Sequence, residues 1–484
     1  MNKILSGEPG DTTTLEKNVR LNSVKDLNAS IIEEFTSQIR GEIILPEDSN
    51  YNETRKVYNA MINKHPGIIV KCVDVGDVIH AVNFGRENNL LVAVRGGGHN
   101  GAGLGLCDGG LVIDLSGIKF VRVDTAEKTV RVGGGNVWGE VDHATHPFGL
   151  AVPAGIISTT GVGGLTLGGG VGHLTRKYGL TIDNLLEADM VLADGTFVTV
   201  NANQNTDLFW AIRGGGGNFG IVTSFKFQAH PVKNVFGGPT LWPIEKTKEI
   251  MEWYHKFIHN APDDLNGFIA TLVIPGPPFP EHLHNKQFCG IVWCYVGDLD
   301  KAEEVFKPIR AMNPLFELVG VMPYPSVQTL FDGMLPPGLQ WYWRADFFNE
   351  LGPEVRARHL EFGSKIPTPL SQMHLYPMSG AAGRVAKDET PWAYRDAKYT
   401  GVIVGVDPDP ANADKITKWC KDYWEAIHPY SAGGTYLNFI MNEGQDRIKA
   451  SYKHNYDRLT KIKKKYDPNN FFRVNQNILP NESS

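Results

Sequence analysis

The run Val94-Arg95-Gly96-Gly97-Gly98-His99-Asn100 sets an imidazole directly after three residues that have no side chain. It follows the apolar stretch Leu90-Leu91-Val92-Ala93, so it reads as a loop leaving a buried strand. Three glycines let the backbone approach a ligand closely and adopt positive φ. Successive N–H groups so placed form a concave anion site suited to a pyrophosphate. A loop that only bound phosphate needs no imidazole at that point. A loop that also attaches a cofactor through a nitrogen nucleophile does. Taken alone, the motif reads equally well as a turn with a solvent-facing histidine.

The glycines further along the chain favour the cofactor loop. Residues 95 to 172 hold a disproportionate share of the 53 glycines, in the clusters Gly101-Ala-Gly103-Leu-Gly105, Gly133-Gly134-Gly135, Gly161-Val-Gly163-Gly164 and Gly168-Gly169-Gly170-Val-Gly172. Short β-rich runs alternate with them: Gly110–Leu115, Thr129–Val132 and Leu150–Pro153. Flexible glycine linkers lack such apolar strands. Here the backbone repeatedly approaches something long and flat.

These segments, with Arg176-Lys-Tyr-Gly-Leu180, Asp183-Asn184, Leu192-Ala-Asp-Gly195, Asp207–Gly214, Gly217–Val222, Tyr466–Arg473 and Asn475–Ile478, give the chain its resemblance to a known family. It resembles the flavin-linked oxidases of the vanillyl-alcohol oxidase superfamily, in the berberine bridge enzyme-like branch and nearest its bacterial hydroxynicotine oxidase type. The matching segments lie at roughly residues 60–235 and 430–480, and the middle of the chain matches more weakly.

The resemblance implies an α+β fold: a two-lobed PCMH-type FAD-binding domain, and a substrate domain built on an antiparallel sheet. The expected division is an N-terminal wrap (1–50), the FAD domain (51–236), the substrate domain (237–430) and a C-terminal segment (431–484) returning to the FAD lobe. By the same resemblance, FAD would contact Arg95, Gly96, Gly97, Gly98, Asn100, Gly103, Thr159, Thr160, Gly163, Gly164, Gly168, Gly172, Asp183, Asn184, Val222, Tyr436, Asn438 and Asn475. His99 would carry the flavin covalently. Ile157 stands where many relatives have a second, cysteine tether, so a single attachment is expected. Thr160 takes the position that governs oxygen access, and its modest size favours an oxidase.

The catalytic residues of the plant enzymes are not kept. Their tyrosine two residues after the tethering histidine is Gly101 here, their base tyrosine is Phe439, and Gly401 stands opposite their glutamate. Tyr436 and Asn438, expected to alternate along one strand face, are the first substitutes, with Tyr436 favoured for proton handling. Tyr399, His374, Tyr376, Trp343 and Arg384 are further candidates, each of which reads equally as a core or surface residue.

The resulting expectation is hydride transfer from the alcohol or amine C–H of a small organic substrate to FAD, then re-oxidation by O₂ to hydrogen peroxide. Two alternatives stand beside it: a dehydrogenase with another acceptor, and a flavoprotein without a dedicated substrate. A cleft lined by Tyr436, Trp343 and Tyr376 would favour an enzyme, and a filled cleft the last alternative.

Bulk properties bound the partners. The chain has 484 residues, 42% of them hydrophobic and 21% charged, with a formal net charge of −6. This is an ordinary globular composition with no electrostatic footprint for nucleic acid or an anionic membrane. No apolar run reaches the ~18 residues of a membrane span, and residues 1–10 show no secretory h-region. Five scattered cysteines do not make a disulfide framework. A soluble, cytoplasmic protein is the expectation. The Lys461–Lys465 cluster is expected on a solvated helix face.

Other motifs carry less. Gly215–Gly220 formally fits GxGxxG, but a helix precedes it and a strand comes after it, the reverse of a dinucleotide-binding turn. No P-loop or GxSxG elbow is present. His143–His146 and His282–His284 lack partners at metal-ligand spacing, and no metal is expected.

Periodicity predicts helices at Leu27–Arg40, Val137–Phe148, Asn205–Arg213, Ile244–Ile258, Asp300–Met312, Glu354–Gly363 and Asn412–Ile427. It predicts strands at Gln287–Val296, Leu339–Phe348, Gln372–Met378, Tyr399–Val406 and Thr435–Met441, with a long helix from Glu443 to Lys465 after the last. Gly237-Gly238-Pro239 reads as punctuation near the change in composition at Val232.

Overall fold

The computed structural model describes residues 21–480 except Pro275 and Pro278, so the first part of the expected N-terminal wrap lies outside the described residues. Among the described residues the chain builds three main sheets. The first runs Glu42–Ile44, Ile68–Lys71, Leu111–Asp114, Val92–Arg95, its last three strands parallel. These strands are short β-branched runs buried on both faces, as parallel strands must be. The helix Val75–Glu87 covers them, its first turn held by the Asp74 carboxylate accepting from the Asp77 N–H. The helix Ala29–Gln38 stacks Phe35 on Phe84 at 3.9 Å.

The second sheet is antiparallel, in the order Val121–Asp124, Thr129–Gly133, Ile221–Gln228, Leu185–Val191, Phe197–Asn201. Val130, Val132, Phe225 and Phe227 join Trp138 and Met190 in its core. The third sheet is antiparallel throughout and central to the site. Its order is Phe316–Glu317, Asn234–Pro243, Gln287–Tyr295, Leu265–Val273, Gln372–Pro377, Tyr399–Asp407, Gln340–Phe348, and Gly320–Pro323 also pairs with Asn234–Pro243. The helices Thr247–Ile258, Pro353–Gly363 and Ala413–Ile427 pack on one face through Tyr254, Val355 and Tyr423. The other face turns towards the first two sheets.

The helices predicted from periodicity form within a few residues of their expected ends, as do four of the predicted strands. Two regions differ. Gly237-Gly238-Pro239 lies inside the ten-residue strand Asn234–Pro243 rather than breaking the chain. On that side its partner strand is interrupted between Glu317 and Gly320, and Gly238 takes φ 131° there. Proline and an unusual φ are tolerated because the ladder is locally open.

Residues 435–441 are not a strand. Leu437–Phe439 form a turn of 3₁₀ helix, and the single long helix expected after it is two, Gln445–Tyr452 and Tyr456–Tyr466. Lys453 at the break has φ 48°, and Asn455 Nδ2 is drawn to the backbone oxygens of Lys387 and Thr390 at 2.9 and 3.1 Å. Tertiary hydrogen bonds there override a continuous helical pattern.

The lysine cluster is not wholly solvated either. Lys463 is fully buried, and its ammonium bonds Asp467 Oδ2 (2.6 Å), the Asn218 carbonyl (2.7 Å) and the Phe472 carbonyl (2.9 Å). Burial pulls its pKa down to about 8, partly offset by Asp467.

Candidate active site

A cavity of about 360 Å³ lies where the three sheets converge. One wall is glycine-rich backbone: Gly96–Gly98, Gly161, Gly163, Gly164, Gly168, Gly216, Gly217 and Gly220. A Cβ added at Gly97 would stand 2.5 Å from the Gly161 nitrogen, so these two loops touch only because neither carries a side chain. A Cβ on Gly164 or Gly217 would meet nothing within 4 Å. The missing side chains therefore keep open space along a backbone wall, the requirement of a long ligand lying against it.

His99 sits on this wall. Its Nε2 is 3.1 Å from Thr159 Oγ1, and Tyr58 stacks on the ring at 3.9 Å and 18°. The imidazole is screened from bulk water although it borders the cavity. Burial pulls its pKa down to about 4, opposed by a hydrogen bond to the Thr159 backbone, so the ring is neutral at physiological pH. A neutral imidazole keeps a lone pair on one ring nitrogen, the form that can act as a nucleophile.

The opposite wall is the inner face of the large sheet. Strand alternation sends Trp341 and Trp343, then Gln372, His374 and Tyr376, then Val402 and Val404 into the cavity from three strands. The interleaved Met373, Leu375 and Ile403 pack under the helices instead. Tyr436, Leu437, Asn438 and Phe439 close one end, with Val474, Asn475 and Gln476 of the C-terminal segment also on the wall.

Of the residues singled out in the sequence, Arg95 to Asn100, Thr160, Gly163, Gly164, Gly168, Val222, Tyr436, Asn438 and Asn475 line this space. Arg95 does so with its stem, since its guanidinium is held by Asp114 Oδ2 at 2.5 Å. Five do not line it. Thr159 stands behind His99. Gly103 packs its backbone against Ile62, and Gly172 against the Ala154 carbonyl. Asp183 takes a two-pronged bond from Arg395, at 2.8 and 2.7 Å. The Asn184 amide bonds the carbonyls of Tyr178 and Leu180. The last two pin backbone segments together.

Tyr436 and Asn438 are neighbours although no strand places them. The turn brings Asn438 Nδ2 to 2.6 Å from Tyr436 Oη, which also accepts from the Gly170 N–H at 3.0 Å. Two donors fill the acceptor positions of that oxygen. Burial raises the phenol to about 12, against the opposing pull of those donors. Tyr436 is thus arranged to give a hydrogen bond rather than to take a proton.

The sequence departures at the plant positions also resolve. The Trp343 indole occupies the space a side chain at Gly101 would enter. Gly401 faces Leu375 and Phe348 on the far side of the sheet, so Val402 and Val404 are what that strand shows the cavity. Tyr399 is on the helix side, bonded to His255 Nδ1 at 3.1 Å, and Arg384 is exposed beside Asp263. Sequence reasoning passed over Tyr58, Trp341 and Gln372. The alternation Gln372-x-His374-x-Tyr376 was the available signal for the last.

The fit to a flavin nucleotide rests on this wall of open glycines and on buried polar atoms left without a partner. Asn475 Oδ1 and the indole nitrogens of Trp341 and Trp343, all on cavity-lining residues, have none among the described residues.

A nucleotide cradle of this form, roofed by an antiparallel sheet, defines an FAD-binding oxidoreductase, and comparison with known proteins agrees. Residues 66–201 match the FAD binding domain family, and residues 435–479 match the berberine and berberine-like family. The chain is 33% identical over 456 residues to an FAD-linked oxidoreductase of Dictyostelium discoideum, covering 93% of this chain and 97% of that one. It is 29% identical over 473 residues to (R)-6-hydroxynicotine oxidase of Paenarthrobacter nicotinovorans, covering 92% and 98%. The solved structure of 6-hydroxy-D-nicotine oxidase from Arthrobacter nicotinovorans superposes with a TM-score of 0.82 at 26% identity, over 92% and 98% of the two chains. The chain belongs to the FAD-linked oxidoreductases with a berberine-like C-terminal segment, within the PCMH-type superfamily. Among the described residues no helix is long and apolar enough to cross a membrane, and all five cysteines are free and buried.

Proposed function

We propose that the protein is an oxidase that carries FAD on His99 alone and oxidises a small organic alcohol or amine. The observation that carries this is the setting of His99. Its ring is neutral, held at Nε2 by Thr159 and stacked on Tyr58, and it borders the same cavity that Trp343, Tyr376 and Tyr436 line. Bound there, FAD supplies two-electron chemistry, taking hydride from a substrate C–H and passing the electrons to O₂ as hydrogen peroxide.

The chain's own residues supply position and enclosure. Gly96–Gly98 and Gly161–Gly164 admit the nucleotide by close backbone approach. Ile157, where a second tether would need sulfur, offers only an apolar side chain to the cavity. Trp341, Trp343 and Phe439 form aromatic walls that exclude water and hold a substrate flat. Tyr436, its acceptor positions filled, orients a polar group through its own O–H. Thr160 lines the cavity on the loop that continues from Thr159, and a side chain of its size leaves a path for O₂ that leucine would fill.

The test has two parts. Acid-denatured wild-type protein should retain its flavin, and His99→Ala should release it. Flavin photoreduced without oxygen should re-oxidise rapidly on mixing with aerated buffer, and more slowly in Thr160→Leu. Release of all flavin from the wild type refutes the tether. Slow re-oxidation of the wild type favours a dehydrogenase.

A further inference from the structure

Gln372, His374 and Tyr376 occupy alternate positions of the Gln372–Pro377 strand and share its cavity face. They form an unbroken chain of hydrogen bonds. His374 Nε2 lies 2.9 Å from Gln372 Oε1, and His374 Nδ1 lies 2.8 Å from Tyr376 Oη. An amide oxygen only accepts, so the imidazole hydrogen is on Nε2. In the neutral ring Nδ1 then holds a lone pair and accepts from the Tyr376 O–H. The direction is set along the whole chain, and Tyr376 Oη keeps a lone pair free for the cavity.

With His99 assigned to the flavin, the rest of the cavity wall among the described residues offers no other group suited to take a proton. Tyr436 Oη already accepts twice. Among the described residues no carboxylate lines the cavity, and the guanidinium of Arg95, the one charged lining residue, is engaged by Asp114. A protonated amine would enter without a counter-charge, whereas a neutral hydroxyl needs only an acceptor.

We propose that Tyr376 and His374 form a proton relay, positioned by Gln372, that accepts the hydroxyl proton of a neutral alcohol substrate. The inference rests on the oxidoreductase reading of the cavity and narrows its substrate class. In the step, the substrate O–H proton passes to Tyr376 Oη while the tyrosine's own proton passes to His374 Nδ1. The C–H bond breaks, and its hydrogen leaves with the electron pair for the flavin ring. The alcohol becomes a carbonyl compound, and the imidazole becomes an imidazolium. Tyr376 is neutral before and after.

Burial around His374 opposes that charge in the resting state and pulls the ring's pKa to about 3. Its surroundings are Tyr376 and Gln372 on its own strand, Ala270 and Phe268 across one neighbour and Val402 across the other, with His173 beyond Phe268 and Tyr436 acting on Tyr376. None carries a charge at neutral pH. The resting relay therefore stays neutral from pH 5 to 9.

Two measurements on the holoenzyme decide this. The first is ¹⁵N NMR of the histidine side chains, with His374→Gln for assignment. His374 is expected as the Nε2–H form with an unprotonated Nδ1 between pH 5 and 9. An Nδ1–H form, or a ring that titrates in that range, overturns the relay whatever the substrate. The second is anaerobic flavin reduction by a panel of neutral alcohols with benzyl alcohol as reference, and by benzylamine.

Tyr376→Phe should slow reduction by the best alcohol ~10²–10⁴-fold, the cost of a lost positioned base, with its Kd little changed. Adding His374→Gln should cost little more, because the two act as one unit. A loss below about threefold in Tyr376→Phe, or additive losses, leaves only a packing role and overturns the proposal. Bleaching by the amine and by no alcohol overturns the relay and keeps the oxidoreductase reading. Bleaching by neither overturns the substrate class while NMR still reads the relay's geometry.

Discussion

Replacing Thr159 with valine removes the hydroxyl that holds His99 Nε2 and keeps a β-branched side chain of similar size. The bond at stake is neutral to neutral and 3.1 Å long. Such a bond contributes about 1 kcal/mol net, within roughly 0.5–1.5. The ring keeps its other supports, the Tyr58 stack at 3.9 Å and the hydrogen bond to the Thr159 backbone, so it stays in place. What is lost is the hydroxyl's hold on Nε2, one of the bonds that orient the ring for attachment. If that hydrogen bond enters the barrier to flavin attachment in full, about 1 kcal/mol slows attachment ~5-fold and about 1.5 kcal/mol ~13-fold. Apoprotein from riboflavin-starved cells, mixed with FAD and quenched in acid at intervals, reports attachment as fluorescence that stays with the polypeptide. Thr159→Ser should attach flavin within about twofold of the wild-type rate. Thr159→Val attaching at the wild-type rate would refute the role of the hydroxyl. A block beyond about 100-fold would refute the accounting too, since one neutral bond cannot supply the ~3 kcal/mol that this requires.

Two further predictions concern stability. Lys463→Met should destabilise the protein by roughly 3 kcal/mol, the low end for breaking a buried pair, because Asp467 still accepts from the Phe471 and Phe472 N–H groups. Exposed Lys464→Met should change stability by no more than about 0.5 kcal/mol, and equal urea midpoints for the two variants would contradict the buried assignment. Three deeply buried histidines set the acid limit: burial pulls His173 to about 4 and His359 and His374 to about 3, from 6.5. Between those values the unfolded chain binds more protons than the folded one, so their contribution is complete above pH 6.5 and is lost as pH falls towards 4. Each accounts for on the order of 1 kcal/mol per pH unit in that window, and a urea midpoint unchanged from pH 7 to pH 5 would count against it.

The glycine wall was legible in the sequence because its cause is local. A glycine that must admit another backbone, as Gly97 admits Gly161, is marked by its own type. Sheet strands such as Gln340–Phe348 and Tyr399–Asp407 were legible for a similar reason, since long β-branched and aromatic runs favour one state. The turn at Leu437–Phe439 was not, because what bends it is the fit of Tyr436 to the Gly170 N–H and of Asn438 to the Leu165 carbonyl, some 270 residues earlier in the chain. Lys463 misled in the same way. Three neighbouring lysines imply solvent, and only the fold reveals the carbonyls of Asn218 and Phe472 on either side of its ammonium. Gly401 shows a third failure, in which a one-residue difference along a strand reverses the face presented to the cavity.

The cavity wall draws on Tyr58 and on Gln476, so its boundary spans most of the polypeptide. During synthesis the glycine loops leave the ribosome several hundred residues before Asn475 does, and until then the pocket lacks a side. The Lys463 ammonium, bonded to the Asn218 and Phe472 carbonyls, helps bind the late piece to the earlier one, beside the bonds of Asn475 to Gly217 and of Gln476 and Ile478 to Asn218. Assembly of the pocket is thus a late, non-local event, and such pairings form slowly. A nascent chain halted before residue 463 holds every strand of the small parallel sheet and still lacks both Phe472 of that sheet's core and a complete nucleotide cradle.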